Sequence, residues 1–177
     1  NPDNIQGIRL HMVGGGPGGM VDEVLPHSDE MTFPEYIDSG CPATSFDDLK
    51  NLYFGTAAER GSSGAAAVLA AKRKVFRYMI FGHRQADSYD STAGACKDNG
   101  SSGVAELPGN DFIVTLGGWD PTPYAAMIGC SPLDTLASCG QRQIEAGTLM
   151  HELGHTLNLG HGGGDHRNCK PNYLSIM

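Results

Sequence analysis

The sequence predicts an α/β fold: a twisted mixed sheet with helices packed against it. Three observations carry that reading. The chain has 177 residues, enough for one domain with its own hydrophobic core. Short apolar and β-branched runs alternate with stretches of helical periodicity. Glycine is abundant, at 25 residues, and only 18% of residues are charged, which favours turns over long solvated helices.

The elements follow in order. Ile5 to Val13 reads as a strand, with Ile8, Leu10 and Met12 on one face and Arg9 and His11 on the other. Gly14 to Gly19 ends it as a loop, and residues 20–44 read as irregular surface. A helix starts after Ser45, whose hydroxyl can cap the amide of Asp48. Asp47 and Asp48 suit the positive helix end, and Phe46, Leu49, Leu52 and Tyr53 recur at helical spacing. Ala65 to Lys74 is a second short helix and Val75 to Phe81 a strand. Residues 82–103 read as a polar loop. Gly103 to Leu107 is a short strand, cut by Pro108-Gly109. Asp111 to Leu116 is nearly all apolar or β-branched and so central. Residues 117–140 read as loop, and Gln141 to Leu157 as one helix that buries Ile144, Thr148, Leu149 and Leu153. No repeat or linker divides the chain.

Composition narrows the function. A formal net charge of −8 gives no long-range attraction to nucleic acid or anionic membranes, so neither is an expected partner. The basic run Lys72-Arg73-Lys74 reads as a solvated helix end. No apolar stretch approaches the eighteen or so residues of a membrane span. The start, Asn1-Pro2-Asp3-Asn4, lacks a signal-peptide layout, so a leader is expected to have been removed if the protein is secreted. Five cysteines, none in C-x-x-C spacing, suggest disulfides and an oxidising compartment, with Cys130–Cys139 the expected bridge and one thiol left over. Buried free thiols are the alternative.

The decisive segment is His151-Glu152-Leu153-Gly154-His155-Thr156-Leu157-Asn158-Leu159-Gly160-His161. Histidines four apart on a helix share one face, with Cβ atoms about 5–6 Å apart, and can reach one zinc ion. Glu152 flanks the pair, where a base for a metal-activated water is needed. On a continued helix His161 would lie about 9 Å beyond His155 and on another face. It can share the metal only if the chain turns back after Leu157. Asn158 suits the left-handed conformation of such a turn.

This pattern resembles the metzincin clan of zinc endopeptidases, whose signature is H-E-x-x-H-x-x-G-x-x-H followed by a turn bearing a methionine. The resemblance implies His151, His155 and His161 as zinc ligands, Glu152 as general base, and Met177 of Leu174-Ser175-Ile176-Met177 as the turn methionine. Asn158 stands where the clan has glycine. The resemblance also implies a twisted mixed five-stranded sheet with an active-site helix and a backing helix. Gly103, Val104, Ala105 and Glu106 would form its edge strand, pairing with extended protein or peptide substrate. Residues 1–177 would form one catalytic domain ending at the Met-turn, its C-terminal subdomain truncated or held as a separate fragment. The expected function is a secreted endopeptidase that cuts internal peptide bonds through a zinc-activated water. Another zinc hydrolase, such as an aminopeptidase or deacylase, is the rival among enzymes; a zinc-keeping binding module is the rival outside them. His83 and Asp87 fall where matrix metalloproteases hold a structural zinc, but a full ligand set is missing. His166 reads as solvent-exposed. Calcium is left open with no nameable site.

Overall fold

The structure, a computed structural model, describes residues 30–33, 41, 44–98, 100–128, 136–168, 170 and 175–177. The expected strand at residues 5–13 and its glycine loop lie outside them. In chain order the elements are β1 (Glu30–Thr32), β2 (Thr44–Ser45), α1 (Phe46–Tyr53), α2 (Ala57–Arg60), α3 (Ala65–Arg73), β3 (Tyr78–Gly82), β4 (Arg84–Asp90), β5 (Ala95–Asp98), β6 (Gly103–Ala105), β7 (Asp111–Thr115), α4 (Thr122–Ile128) and α5 (Leu136–Thr156).

The fold is mixed α/β, as the sequence predicts, but the strands do not form one five-stranded sheet. Among the described residues they divide into a four-stranded sheet, β2-β1-β4-β5, and a three-stranded sheet, β3-β7-β6. Only His83 separates β3 from β4. The chain leaves one sheet there and pairs in the other, so β4 lies parallel to β1 and antiparallel to β5.

The smaller sheet organises the core. Strand β7 is its centre, parallel to β3 and antiparallel to β6, and all five of its residues are buried. Ile113 faces one side, packed with Met31, Phe33, Phe46, Leu49 and Ile80. Phe112, Val114 and Leu116 face the other, where Ile144, Leu149 and Leu153 of α5 cover them. The period-two alternation of a buried strand thus joins α1 and β1 on one face to α5 on the opposite face.

Several boundaries move for identifiable reasons. Ser45 caps α1 as expected, its Oγ accepting from the Asp48 amide at 3.4 Å. Leu52, assigned to the apolar stripe, is instead 62% exposed, while Lys50 is buried in an ion pair with Asp111. The amides of Val75 and Phe76 both donate to the Lys72 carbonyl, continuing the turn of α3, so β3 starts later, at Tyr78. Residues 20–44 are not all surface: Met31 and Phe33 are core. The polar stretch 82–103 holds the hairpin β4–β5, which Cys41–Cys96 ties back to the chain before α1, with Cα atoms 5.4 Å apart. Little apolar sequence marks that hairpin, whose ladder joins Ala86–Asp90 to Ala95–Asp98, with β1 pairing at the start of β4. Residues 117–140 include α4 and the start of α5, where buried Cys139 and Gly140 pack into the helix, Gly140 against the Pro121 carbonyl. Cys139 is disulfide-bonded, and the expected partner Cys130 lies outside the described residues. Among the described residues no helix is long and apolar enough to cross a membrane.

Candidate metal centre

Helix α5 carries His151 and His155 one turn apart, their ring centroids 4.6 Å apart and their planes nearly perpendicular. The helix then stops in a way its sequence dictates. Asn158 has φ 68°, as the sequence predicts, and is the one non-glycine residue with positive φ among those described. Its amide donates to the His155 carbonyl at 2.8 Å, and the Leu159 amide donates to the Gly154 carbonyl at 3.0 Å. This pair of bonds is the Schellman helix stop, with Asn158 in the left-handed position. It reverses the chain and returns His161 to the pair: its ring lies 5.1 Å from that of His151 and 4.9 Å from that of His155. One nitrogen from each of the three rings lies within 4.8 Å of the other two.

Two backbone carbonyls decide which nitrogens face inward. His151 Nδ1 meets the Ile176 carbonyl and His155 Nδ1 meets the Leu159 carbonyl, each at 2.8 Å. An oxygen there requires a proton on Nδ1, which leaves Nε2 with its lone pair. Yet the two Nε2 atoms face each other at 3.0 Å. Two lone pairs at that distance repel unless a cation sits between them. A proton would serve only by making one ring an imidazolium. Burial pushes His155 the other way, lowering its pKa against the opposing pull of the Leu159 carbonyl, with His151 and His161 adding to the lowering. A metal ion satisfies both nitrogens at once. A tetrahedral centre with Zn–N of about 2.0–2.1 Å needs nitrogens about 3.3 Å apart, close to the spacing present. Neutral imidazoles held by backbone carbonyls suit zinc, copper, iron or nickel.

Glu152, one step round the helix, is only 3% exposed. It points to the opposite side from the helix's solvent face and meets β6. A Cβ on Gly103 would come 2.8 Å from Glu152 Cγ, 2.9 Å from its Oε1 and 2.6 Å from the Ile113 carbonyl oxygen. Glycine at 103 therefore lets the carboxylate lie directly against the strand. Burial alone pushes the Glu152 pKa up to about 7. Below the helix, Met177 lies over Gly154, and a side chain at 154 would overlap its thioether sulfur. Met177 is thus packed against the helix one residue before His155.

Strand β6 is an edge: among the described residues it pairs with β7 alone. Bonds from Thr115 N to Ser102 O and from Glu106 N to Asp111 O turn residues 102, 104 and 106 inward, so the peptide groups of Gly103 and Ala105 face away from β7. Those of Gly103 are held by Ser101, whose Oγ donates to the Gly103 carbonyl at 2.5 Å and accepts from its amide at 3.4 Å. Val104 and Ala105 point their side chains into the two core clusters. Glu106 departs from the expectation. It lies past the end of β6, and its Oε2 accepts from the Asn110 and Asp111 amides at 2.8 and 3.2 Å, closing the turn before β7.

His83 is exposed and joins no ligand cluster among the described residues; with Glu145, Gln141 and Leu116 it lines a cavity of about 370 Å³. His166 is exposed, as expected. Sequence reasoning missed the carbonyls of Leu159 and Ile176, since backbone groups leave no residue signature. It also passed over Gly154, although glycine inside a helix, at a cost near 1 kcal/mol, signals a close neighbour. Comparison with protein-family models, with curated proteins and with solved structures finds no match for this chain.

Proposed function

We propose that the chain is a zinc-dependent endopeptidase of metzincin type, with His151, His155 and His161 as ligands and Glu152 as general base. The observation that carries the proposal is the pair of Nε2 lone pairs facing at 3.0 Å, with a third imidazole beside them and a buried carboxylate on the next residue. When bound, zinc supplies a Lewis acid that acidifies water and polarises a peptide carbonyl. Glu152 takes one proton from the attacking water on its carboxylate and later gives it to the departing amine. A base whose pKa lies near 7 is matched to both halves of that exchange. An extended substrate would add as a strand on the outward peptide groups of Ala105 and Gly103, displacing the Ser101 hydroxyl from Gly103, with Glu152 beside Gly103. Met177, packed against Gly154 between the two helical ligands, would be the turn methionine of that type. A disulfide at Cys41–Cys96 is compatible with an extracellular protein, and secretion belongs to the same proposal.

The test combines metal analysis with cleavage of a peptide blocked at both ends, which an aminopeptidase or deacylase leaves uncut. About one zinc per chain, internal cleavage, and loss of cleavage in Glu152→Gln with zinc retained are expected. Zinc-loaded protein that leaves blocked peptides and unfolded proteins intact would overturn the proposal.

A further inference from the structure

The loop that delivers His161 is glycine-rich, Gly160-His161-Gly162-Gly163-Gly164, and glycine gives a loop freedom, not a fixed direction. Something else must aim the imidazole. Gly160 and Gly163 exchange two backbone bonds of 2.7 Å across the histidine. Next to that bridge stands Asp165. Its backbone carbonyl accepts from the Gly162 amide at 3.1 Å, so the residue following His161 is bonded to it directly. Its Oδ1 accepts from the Arg167 amide at 2.9 Å, and its Oδ2 accepts from Lys170 Nζ at 2.7 Å. The same ammonium donates to the Gly162 carbonyl at 3.0 Å. Both peptide groups of Gly162, its N–H and its C=O, are therefore held by the Asp165–Lys170 pair.

We infer that Asp165 and Lys170 form a clamp that fixes the direction of His161 toward His151 and His155, making both positioning residues for the metal centre. This rests on the metal-centre reading. Among the described residues neither side chain is in the group that could ligate, and the bonds of the clamp beside His161 fall on Gly162. The pair is partly exposed, with side-chain exposures of 30% for Lys170 and 49% for Asp165, so it adds little to global stability. Its contribution is to geometry, and that separates the two effects experimentally. Groups that orient a ligand without touching the metal typically alter affinity by about 10–100-fold.

The experiment measures zinc affinity by competition with a chromophoric chelator for wild type, Asp165→Ala, Lys170→Met, His161→Ala and the double variant Asp165→Ala/His161→Ala. Thermal unfolding of each chelated protein is recorded beside it. Wild type is expected to bind zinc, and each clamp variant to bind it about 10–100-fold more weakly, with nearly unchanged unfolding. In the His161→Ala background, Asp165→Ala is expected to cost nothing further, because the ligand it positions is gone. Lys170→Met reports on the same clamp if Asp165→Ala fails to fold. Clamp variants with wild-type affinity, or an Asp165→Ala loss undiminished in the His161→Ala background, would overturn the inference. Wild type that binds no zinc would instead sink the metal reading itself.

Discussion

Replacing Asn158 perturbs the metal centre without touching a ligand. The residue sits at φ 68°, and its amide and that of Leu159 close the helix stop. A residue with a Cβ pays about 1–2 kcal/mol in this region, asparagine less because its short amide tolerates it, and β-branched residues most. Asn158→Gly should thus be neutral within about 1 kcal/mol, and Asn158→Val should cost about 2 kcal/mol or more if the turn is kept. If the turn relaxes instead, the Leu159 carbonyl leaves His155 Nδ1 and His161 loses its return path. Loss of one orienting carbonyl predicts a further 10–100-fold drop, on the order of 1–3 kcal/mol, in metal affinity. The assay is thermal unfolding of the chelated protein together with zinc competition for the Gly, Ala and Val variants. Affinity and stability should fall in the order Gly, Ala, Val. A Val variant equal to wild type in both would refute the claim that left-handed geometry at 158 builds the site.

Three further variants have expected outcomes. Glu152→Gln should lower cleavage by about 10²–10⁴-fold or more while keeping zinc. In chelated protein it should also remove a pH dependence. The wild-type carboxyl rises from 4.5 unfolded to about 7 folded, so its contribution is full below about pH 4.5 and is lost as pH climbs through 7. That loss amounts to about 3 kcal/mol, and parallel unfolding profiles of the two proteins from pH 5 to 8 would contradict it. Ala105→Pro should fold and hold zinc, because its peptide N–H faces the open edge, yet cleave peptides more slowly than Val104→Ala; normal cleavage by the proline variant would place the substrate elsewhere. Lys50→Met should destabilise by about 3–5 kcal/mol at neutral pH by leaving Asp111 buried and unpaired, and less in acid. Burial already raises the Asp111 pKa against the pull of Lys50, so protonation relieves the variant; denaturant melts at two pH values measure the difference.

Local chemistry was legible in the sequence because it depends on near neighbours. The cap at Ser45, the helix bearing His151 and His155, the buried run of β7 and the left-handed turn at Asn158 are each set by residues within a few positions. Helical period and backbone sterics do not need the rest of the molecule. What only the tertiary structure decided involves partners far apart in the chain. Polar β4 and β5 pair with each other, β1 adds a ladder to the start of β4, and Lys50 is buried because Asp111, 61 residues away, neutralises it. The tautomers of His151 and His155 are set by the carbonyls of Ile176 and Leu159, and Glu152 is buried because Gly103 leaves room for it. Residue identity named the histidines, but the direction of each lone pair is a property of backbone oxygens, which every residue carries and no sequence pattern distinguishes.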